Sequence, residues 1–554
     1  MSKGTCSETL RIRILNSLAK IFSGEEPDRA YDLTRLSGLK GERVSFQIAY
    51  FWDRETRWFI KPAVISELAS VITIRQVNNV PCDMPAHIDR DDDYISYTPG
   101  LYPDLLTELK PQGADLIAGQ WRGLWVEIAI PSDCTAGVYA IEIEIQKDDE
   151  VLGSVKTEIE IINAVLPKLP IPHTEWLHTD CLANYYSVEV FSDEYWRITE
   201  NFIRAAVKRD INMILVPVFT PPLDTAVGGE RRTVQLAGVI KHGSEYSFDF
   251  TMLEKWIRLC INCGVEYFEI SHLFSQWGAV AAPKIMGIAD GSFTQLFGWD
   301  TKADGTEYRT FLNAFLPQLI ETLSTMVDMD RVYFHISDEP ELSQLSTYRA
   351  ALMTVRDLLK GYKIIDALSN YAFYKEGLVE IPVCANNHIK PFLENRPEKL
   401  WTYYCTAQYR DVSNRFIAMP SYRNRVYGLQ LYKYKIDGIL HWGYNFYNSL
   451  NSLYPIDPYR TTGADAAFPS GDPFVVYPKA DGTVEESIRF MVHYEAMTDL
   501  RALYYLETLI GREKVMENID LEDLEFDWYP KYPEYTINIR KKVNEMIKET
   551  ISCL

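Results

Sequence analysis

Arg331-Val332-Tyr333-Phe334-His335-Ile336-Ser337-Asp338-Glu339-Pro340 reads as a buried strand that ends on two carboxylates and a proline. A helical repeat follows, with Leu345, Tyr348, Leu352, Val355 and Leu359 on one face and Gly361 as its stop. Tyr362 to Leu368 is the next strand, so the passage is one strand–helix–strand unit of the parallel kind. The alternation continues in both directions. Upstream, Glu175 to Thr179, Ile211 to Val218 and Val265 to Ser271 read as strands. Ser192 caps a helix carrying Trp196, Phe202, Ile203, Ala206 and Val207 between the first two. Downstream, Val379 to Cys384, Lys399 to Tyr404 and Gly438 to Trp442 complete a set of eight. Eight such units over 173–483 predict an α/β fold, a (β/α)8 TIM barrel with its chemistry at the C-terminal strand ends.

Outside the barrel the pattern changes. Val44 to Tyr50, Tyr139 to Ile145 and Val155 to Ile161 alternate with period two, the last two across an acidic turn. Residues 1–165 therefore predict an antiparallel β-sandwich. The Pro-rich run Leu166-Pro167-Lys168-Leu169-Pro170-Ile171-Pro172 marks the joint. From Val484 to residue 554 the pattern is helical, a C-terminal segment expected to pack on the barrel.

Composition narrows the partners. With 56 basic and 77 acidic residues the net charge is −21, which argues against nucleic acid, because phosphate binding needs a basic surface. No apolar run is long enough to span a bilayer. Met1 to Cys6 lacks the apolar core of a secretory signal, and the nine Cys, scattered and odd in number, suit free thiols. A cytoplasmic location is the expectation. Cys260 and Cys263 have a C-x-x-C spacing inside a helical pattern without a second ligand pair, so they read as buried thiols rather than a zinc site. No metal or cofactor is expected. Oligomeric state is not legible.

The strand ends are polar, as an active-site rim would be. They offer His178 and Asp180 after strand one, His272 and Trp277 after strand three, Tyr403 and Tyr404 on strand seven, and Trp442 and Asn445 after strand eight. Singly, each of these also reads as a hydrogen-bonded structural group. Asp338 and Glu339 are the sharpest candidates: adjacent carboxylates raise one another's pKa, which suits a general acid at neutral pH. They also read as acids that cap the next helix. Pro340 biases Glu339 towards an extended backbone. A retaining glycosidase with an enzymic nucleophile needs a second carboxylate at another strand end. Strand seven carries Tyr403 and Tyr404 there instead. Substrate-assisted hydrolysis, with a 2-acetamido oxygen as nucleophile, fits better.

The chain resembles glycoside hydrolase family 123, the β-N-acetylgalactosaminidases and their relatives. The resemblance runs through Pro99-Gly100-Leu101-Tyr102-Pro103-Asp104-Leu105-Leu106 and Ala136-Gly137-Val138-Tyr139, then Ser337-Asp338-Glu339-Pro340 and His441-Trp442-Gly443-Tyr444-Asn445. It continues in Gly471-Asp472, Tyr477-Pro478 and Glu486-Ser487-Ile488-Arg489. It implies a β-sandwich before a (β/α)8 barrel. It also implies Asp338 as the residue that holds the acetamido group and Glu339 as acid, then base. The implied reaction is exo-hydrolysis of terminal β-linked N-acetylgalactosamine from glycans or glycosphingolipids, with retained configuration. His178, Asp180, His272, Trp277, Tyr403, Tyr404, Trp442, Asn445 and Asp472 are expected substrate contacts from their positions, with Trp277 and Trp442 as stacking walls. Competing readings are a conventional retaining β-glycosidase with Asp180 as nucleophile, a non-catalytic sugar-binding protein, and a metal hydrolase built on His178, Asp180 and His272.

Overall fold

A computed structural model describes residues 10–53 and 57–553. The expectation for Met1 to Cys6 lies outside the described residues. Eight parallel strands close a barrel: His173–Glu175, Met213–Val216, Tyr267–Ile270, Val332–Phe334, Lys363–Leu368, Ile381–Ala385, Trp401–Tyr403 and Gly438–His441. The chain is thus a TIM barrel preceded by a β domain and followed by helices. Period-two alternation sorts the barrel side chains. Trp176, Met213, Leu215, Tyr333, Ile365, Ala367, Val383, Trp401, Tyr403 and Leu440 form the interior core. Their outward neighbours, such as Ile214, Phe334, Cys384, Tyr404 and Ile439, join the larger core beneath the surrounding helices.

The helix predicted after Ser192 spans Asp193–Val207, and the Ser192 hydroxyl accepts from Tyr195 N–H at 3.2 Å. The helix after strand four is shorter than its apolar repeat. It runs Leu345–Val355, and Gly361 sits at φ +90° where the chain turns into strand five. Strand one also differs from the reading. It is His173–Glu175, not Glu175 to Thr179, because Thr179–Tyr185 forms a helix directly behind it. Cys260 and Cys263 are buried in the helix Thr251–Cys263, and all eight described cysteines are free. An additional four-stranded sheet, built from Gly238–His242, Glu245–Asp249, Ile285–Ala289 and Ser292–Phe297, joins the loops after strands two and three.

The N-terminal region is a two-sheet sandwich whose five-stranded sheet contains Leu36–Lys40, Glu150–Val165, Gly137–Lys147, Trp58–Ile65 and Ala114–Leu116. It is not wholly antiparallel: Glu150–Val165 pairs with Leu36–Lys40 in parallel. Ile141, Ile143 and Ile145 meet Ile159 and Ile161 in its core, as alternation requires. The second sheet has seven strands and borrows two from beyond the barrel, Val476–Pro478 and Val484–Ser487. The tail from Val484 therefore opens as a strand, not a helix. Val484–Ser487 pairs antiparallel with Gly100–Glu108 of the sandwich. Ile488–Ile510 follows and packs on the barrel helix Ser421–Lys433, while Pro533–Cys553 lies against both Ile488–Ile510 and the sandwich. Among the described residues no helix is long and apolar enough to cross a membrane.

Candidate active site

The C-terminal rim of the barrel holds a cavity of about 230 Å³. Trp176, one residue past strand one, and the inward strand positions Ala367, Tyr403 and Leu440 line it, and loops add Asp224, Gln276, Trp277, Asp338, Glu339 and Trp442. A larger cavity, about 360 Å³, lies where the sandwich meets the C-terminal helices. The rim cavity is the better candidate for chemistry, because there carboxylates with raised pKa face aromatic walls at the end of a barrel.

Asp338 and Glu339 reach the same cavity because the backbone leaves regular strand geometry after Phe334. Glu339 has φ +41°, left-handed rather than the extended backbone expected before Pro340. Two bonds impose this: Glu339 N–H donates to the Ala367 carbonyl at 3.0 Å, and Trp277 N–H to the Asp338 carbonyl at 2.8 Å. Trp277, Asp224 and Asn451 also have positive φ, +56°, +38° and +57°, so four non-glycine residues of the lining are held in sparsely populated backbone. The Tyr403 hydroxyl donates to Glu339 Oε1 at 2.5 Å, and Cys405 Sγ lies 3.9 Å from the same oxygen. Burial, and then the charge of Glu339, push the Asp338 carboxyl well above the usual carboxylate range. Burial also raises Glu339, against the hydrogen bonds from Tyr403 and Cys405. Two acids so placed favour holding a proton between them at neutral pH.

Next to the pair is a buried ionic tier absent from the sequence reading. His335 Nε2 donates to Glu269 Oε1 at 2.5 Å and Nδ1 to Asp366 Oδ1 at 3.1 Å. Burial opposes charge on this ring, but the two carboxylates outweigh it and carry its pKa up to about 9. The ring is therefore an imidazolium near neutral pH. Asp366 Oδ1 also accepts Ile336 N–H at 3.0 Å and Ser337 N–H at 3.2 Å, and Tyr348 donates its hydroxyl to Asp366 Oδ2. Glu269 further accepts Trp176 Nε1–H at 2.8 Å and the Thr174 hydroxyl. The segment that delivers Asp338 is thus clamped from below.

Of the residues expected at the rim, the structure brings Asp338, Glu339, Trp277, Tyr403 and Trp442 together on the cavity; the others are elsewhere. Asp180 lies in the helix Thr179–Tyr185, buried and bound by both Arg231 Nε–H (2.8 Å) and Nη2–H (2.6 Å), so it is not placed as a nucleophile. His178 sits between Arg231 Nη2 and the Trp442 carbonyl, its pKa lowered to about 3 by burial and then by Arg231. Asn445 pairs with both backbone groups of His178, at 2.8 and 3.1 Å. His272 is buried, stacked on His335 at 4.3 Å, and held neutral by burial and by that neighbour's charge. Tyr404 points outward, 3.3 Å from His493 Nδ1. Asp472 lies behind Trp442, accepting its Nε1–H at 2.9 Å, with a pKa pushed up to about 7 by burial. Gly443 permits this approach, since a Cβ there would come within 2.6 Å of the Asp472 and Pro473 carbonyl oxygens.

Metal chemistry finds no suitable donors in the expected set. Arg231 occupies both His178 and Asp180, and His272 stacks apart from them. His173, Glu175 and His493 do converge, with ligand atoms within 4.8 Å, but outside the cavity. Glu175 there is engaged by Arg415 at 2.6 and 3.0 Å, so the cluster already holds its cation. The residues missed from sequence include Trp176, Asp224, Gln276, Cys405 and Asn451 on the cavity, and Glu269, His335 and Asp366 next to it. Strand alternation could have found Trp176; nothing local marks the loop residues.

Residues 176–506 match the family model described as the glycoside hydrolase 123 catalytic domain. A solved family 123 glycoside hydrolase from Clostridium perfringens, studied for glycolipid glycan hydrolysis, aligns with TM-score 0.73 at 15% identity, covering 99% of this chain and 100% of that one. A family 5 xyloglucanase from Bacteroides ovatus covers 84% of this chain and 98% of its own, at 9% identity and TM-score 0.31. Among curated proteins none matches. The matched segment spans more than half of the chain and contains the whole cavity lining, so the chain belongs to glycoside hydrolase family 123.

Proposed function

We propose that this hydrolase removes terminal β-linked N-acetylgalactosamine from glycans or glycosphingolipids, by substrate-assisted catalysis with retention. The observation that carries the reading is the Asp338–Glu339 pair, two acids of raised pKa on one small cavity. The 2-acetamido oxygen attacks the anomeric carbon while the glycosidic bond breaks. Its electron pair leaves with the departing oxygen, which takes the proton of Glu339. Asp338 accepts the acetamido N–H and supports the positive charge of the oxazolinium. Water, deprotonated by Glu339, then opens the ring on the original face. Trp442 and Trp277 supply aromatic walls.

Further observations support the substrate class. The cavity is smaller than sites for drug-sized ligands, which suits one terminal sugar and exo action. Among the described lining residues there is no Lys, Arg or His, which suits a neutral sugar. Trp277 and Leu450 line the cavity yet stay exposed at its mouth, which suits an apolar aglycone.

The test compares aryl β-N-acetylgalactosaminide, β-N-acetylglucosaminide and β-galactoside. Activity is expected only on the 2-acetamido sugars, highest on the first; comparable turnover of the galactoside overturns the mechanism. Across a leaving-group series, Glu339→Gln should recover part of its rate on activated aryl groups, whereas the Asp338→Asn defect should persist. Rescue of Asp338→Asn by azide, yielding a glycosyl azide of inverted configuration, would instead make Asp338 a covalent nucleophile.

A further inference from the structure

Asp224 is a third carboxylate on the cavity, and neither the pair's chemistry nor the family motifs use it. It lies on the loop after barrel strand two, at φ +38°, where an L-residue pays in conformational energy. The loop is fixed at three points. Asp224 N–H donates to Gln276 Oε1 at 2.7 Å, its carbonyl accepts the Ser452 hydroxyl at 2.7 Å, and its Oδ2 accepts Asn451 N–H at 2.9 Å. Gln276 and Asn451 line the cavity beside it. Among the described residues, Oδ1 of Asp224 has no hydrogen-bond partner. Asp224 is half-buried on the cavity lining, so this oxygen is free to accept a hydrogen bond from a ligand that enters. Burial pushes the carboxyl up to about 6, so at neutral pH it is chiefly an acceptor.

We infer that Asp224 is a specificity-determining residue, accepting a hydrogen bond from a sugar hydroxyl remote from the anomeric carbon. This rests on the reading of an exo-acting hydrolase of 2-acetamido sugars given above. If Asp338 and Glu339 engage the acetamido group and the glycosidic oxygen, the sugar hydroxyls at C3, C4 and C6 remain to be recognised. Among the described lining residues the carboxyl groups are those of Asp224, Asp338 and Glu339, so Asp224 is the ionisable acceptor left for them. A carboxylate acceptor discriminates strongly against a sugar that lacks the donor, because one of its oxygens is then left unpaired.

The experiment measures kcat/KM for wild type and Asp224→Asn on an aryl β-N-acetylgalactosaminide and on its 3-deoxy, 4-deoxy and 6-deoxy analogues. Asp224→Asn retains an acceptor for Asn451 N–H, and each deoxy penalty is a ratio within one preparation, so any misfolded fraction cancels. On the parent sugar the variant should lose about 10- to 100-fold, the range for a hydrogen bond to a charged group. For at least one deoxy analogue the wild-type penalty should be of that size and shrink to within about threefold in the variant, since that contact is already gone. Deoxy penalties that carry over unchanged into Asp224→Asn overturn the assignment alone. So does a variant dead on every analogue and rescued by azide with inversion, which would make Asp224 the nucleophile. If wild type turns over the plain galactoside as well as the acetamido sugar, the mechanistic reading fails first, and this assignment with it.

Discussion

Tyr403 donates to Glu339 Oε1 at 2.5 Å, and a donor on that oxygen stabilises the carboxylate over the acid. Removing it with Tyr403→Phe should therefore raise the pKa of the Asp338–Glu339 pair. In the proposed mechanism the first step needs the pair protonated, so activity falls on the basic side as the proton is lost. The basic limb of kcat/KM against pH is expected to move to higher pH in Tyr403→Phe. The rate at the optimum should drop about tenfold or more, because Glu339 is also less well held. A basic limb at its wild-type position would show that Tyr403 does not tune the pair. Its neighbour Tyr404 has the opposite orientation, packed outward on Tyr427 with ring centroids 5.0 Å apart. Sequence marks both as strand-end tyrosines, and only the barrel's pleat separates them. Asp180 fails as a rim residue for a related reason. Strand one ends at Glu175, so the two residues read as its polar end, His178 and Asp180, belong to the start of the next helix and to Arg231. Asp224 was invisible because its partners, Gln276 and Asn451, lie on other loops.

At the scale of elements, the eight barrel strands were legible because each combines a short apolar run with a following helix or turn signal. What periodicity could not reveal is how the chain leaves strand four. The exit is set by long-range groups: Asp366 of strand five on Ile336 N–H and Ser337 N–H, and Ala367 on Glu339 N–H. A proline one residue on favours extended backbone locally, and these contacts override it. The four-stranded sheet was missed because its strands sit in loops that, read singly, interrupt the strand–helix alternation. Asp366→Asn tests the exit clamp. The amide puts an N–H group where four donors converge, so one or more of them must go unpaired. The variant is expected to lose about 1–3 kcal/mol of stability. It should also lose kcat by about tenfold with a smaller change in KM, because Asp338 and Glu339 are displaced rather than removed. A lowered melting temperature with wild-type kcat would mean that the clamp serves the fold and not the pair's position.

For the whole molecule, the sandwich is tied to the barrel by buried ions as well as by the shared seven-stranded sheet. Arg489 grips Asp104 at 2.9 and 3.0 Å, and Arg209 binds Glu486 on a borrowed strand. The second cavity holds the most titratable part of this junction. Glu495 accepts the Ser17 hydroxyl at 2.7 Å and Arg425 Nη1–H at 2.9 Å. Arg425 also binds Asp499, while Arg540 links Asp499 to Glu42. Burial pushes the Glu495 carboxyl up to about 7 even though Arg425 opposes it. In the unfolded chain a glutamate titrates near its ordinary value, roughly 4.3. Between those two values the folded protein holds a proton that the unfolded chain has released. The stability contributed by this site is therefore full below about pH 4, lost as pH rises to about 7, and constant above that. Glu495→Gln fixes the neutral form and keeps an acceptor for Ser17, so it should abolish this slope. Its melting temperature relative to wild type is expected to rise from pH 5 to pH 7 by about a few degrees, following at most about 1.4 kcal/mol per pH unit, and then to level off. Thermal melts of both proteins at pH 5, 6, 7 and 8 give the answer. A difference that stays flat across the series would mean that Glu495 is ionised throughout, its ion pair with Arg425 outweighing burial. A difference that falls with pH would mean that the charge itself holds the sandwich against the barrel.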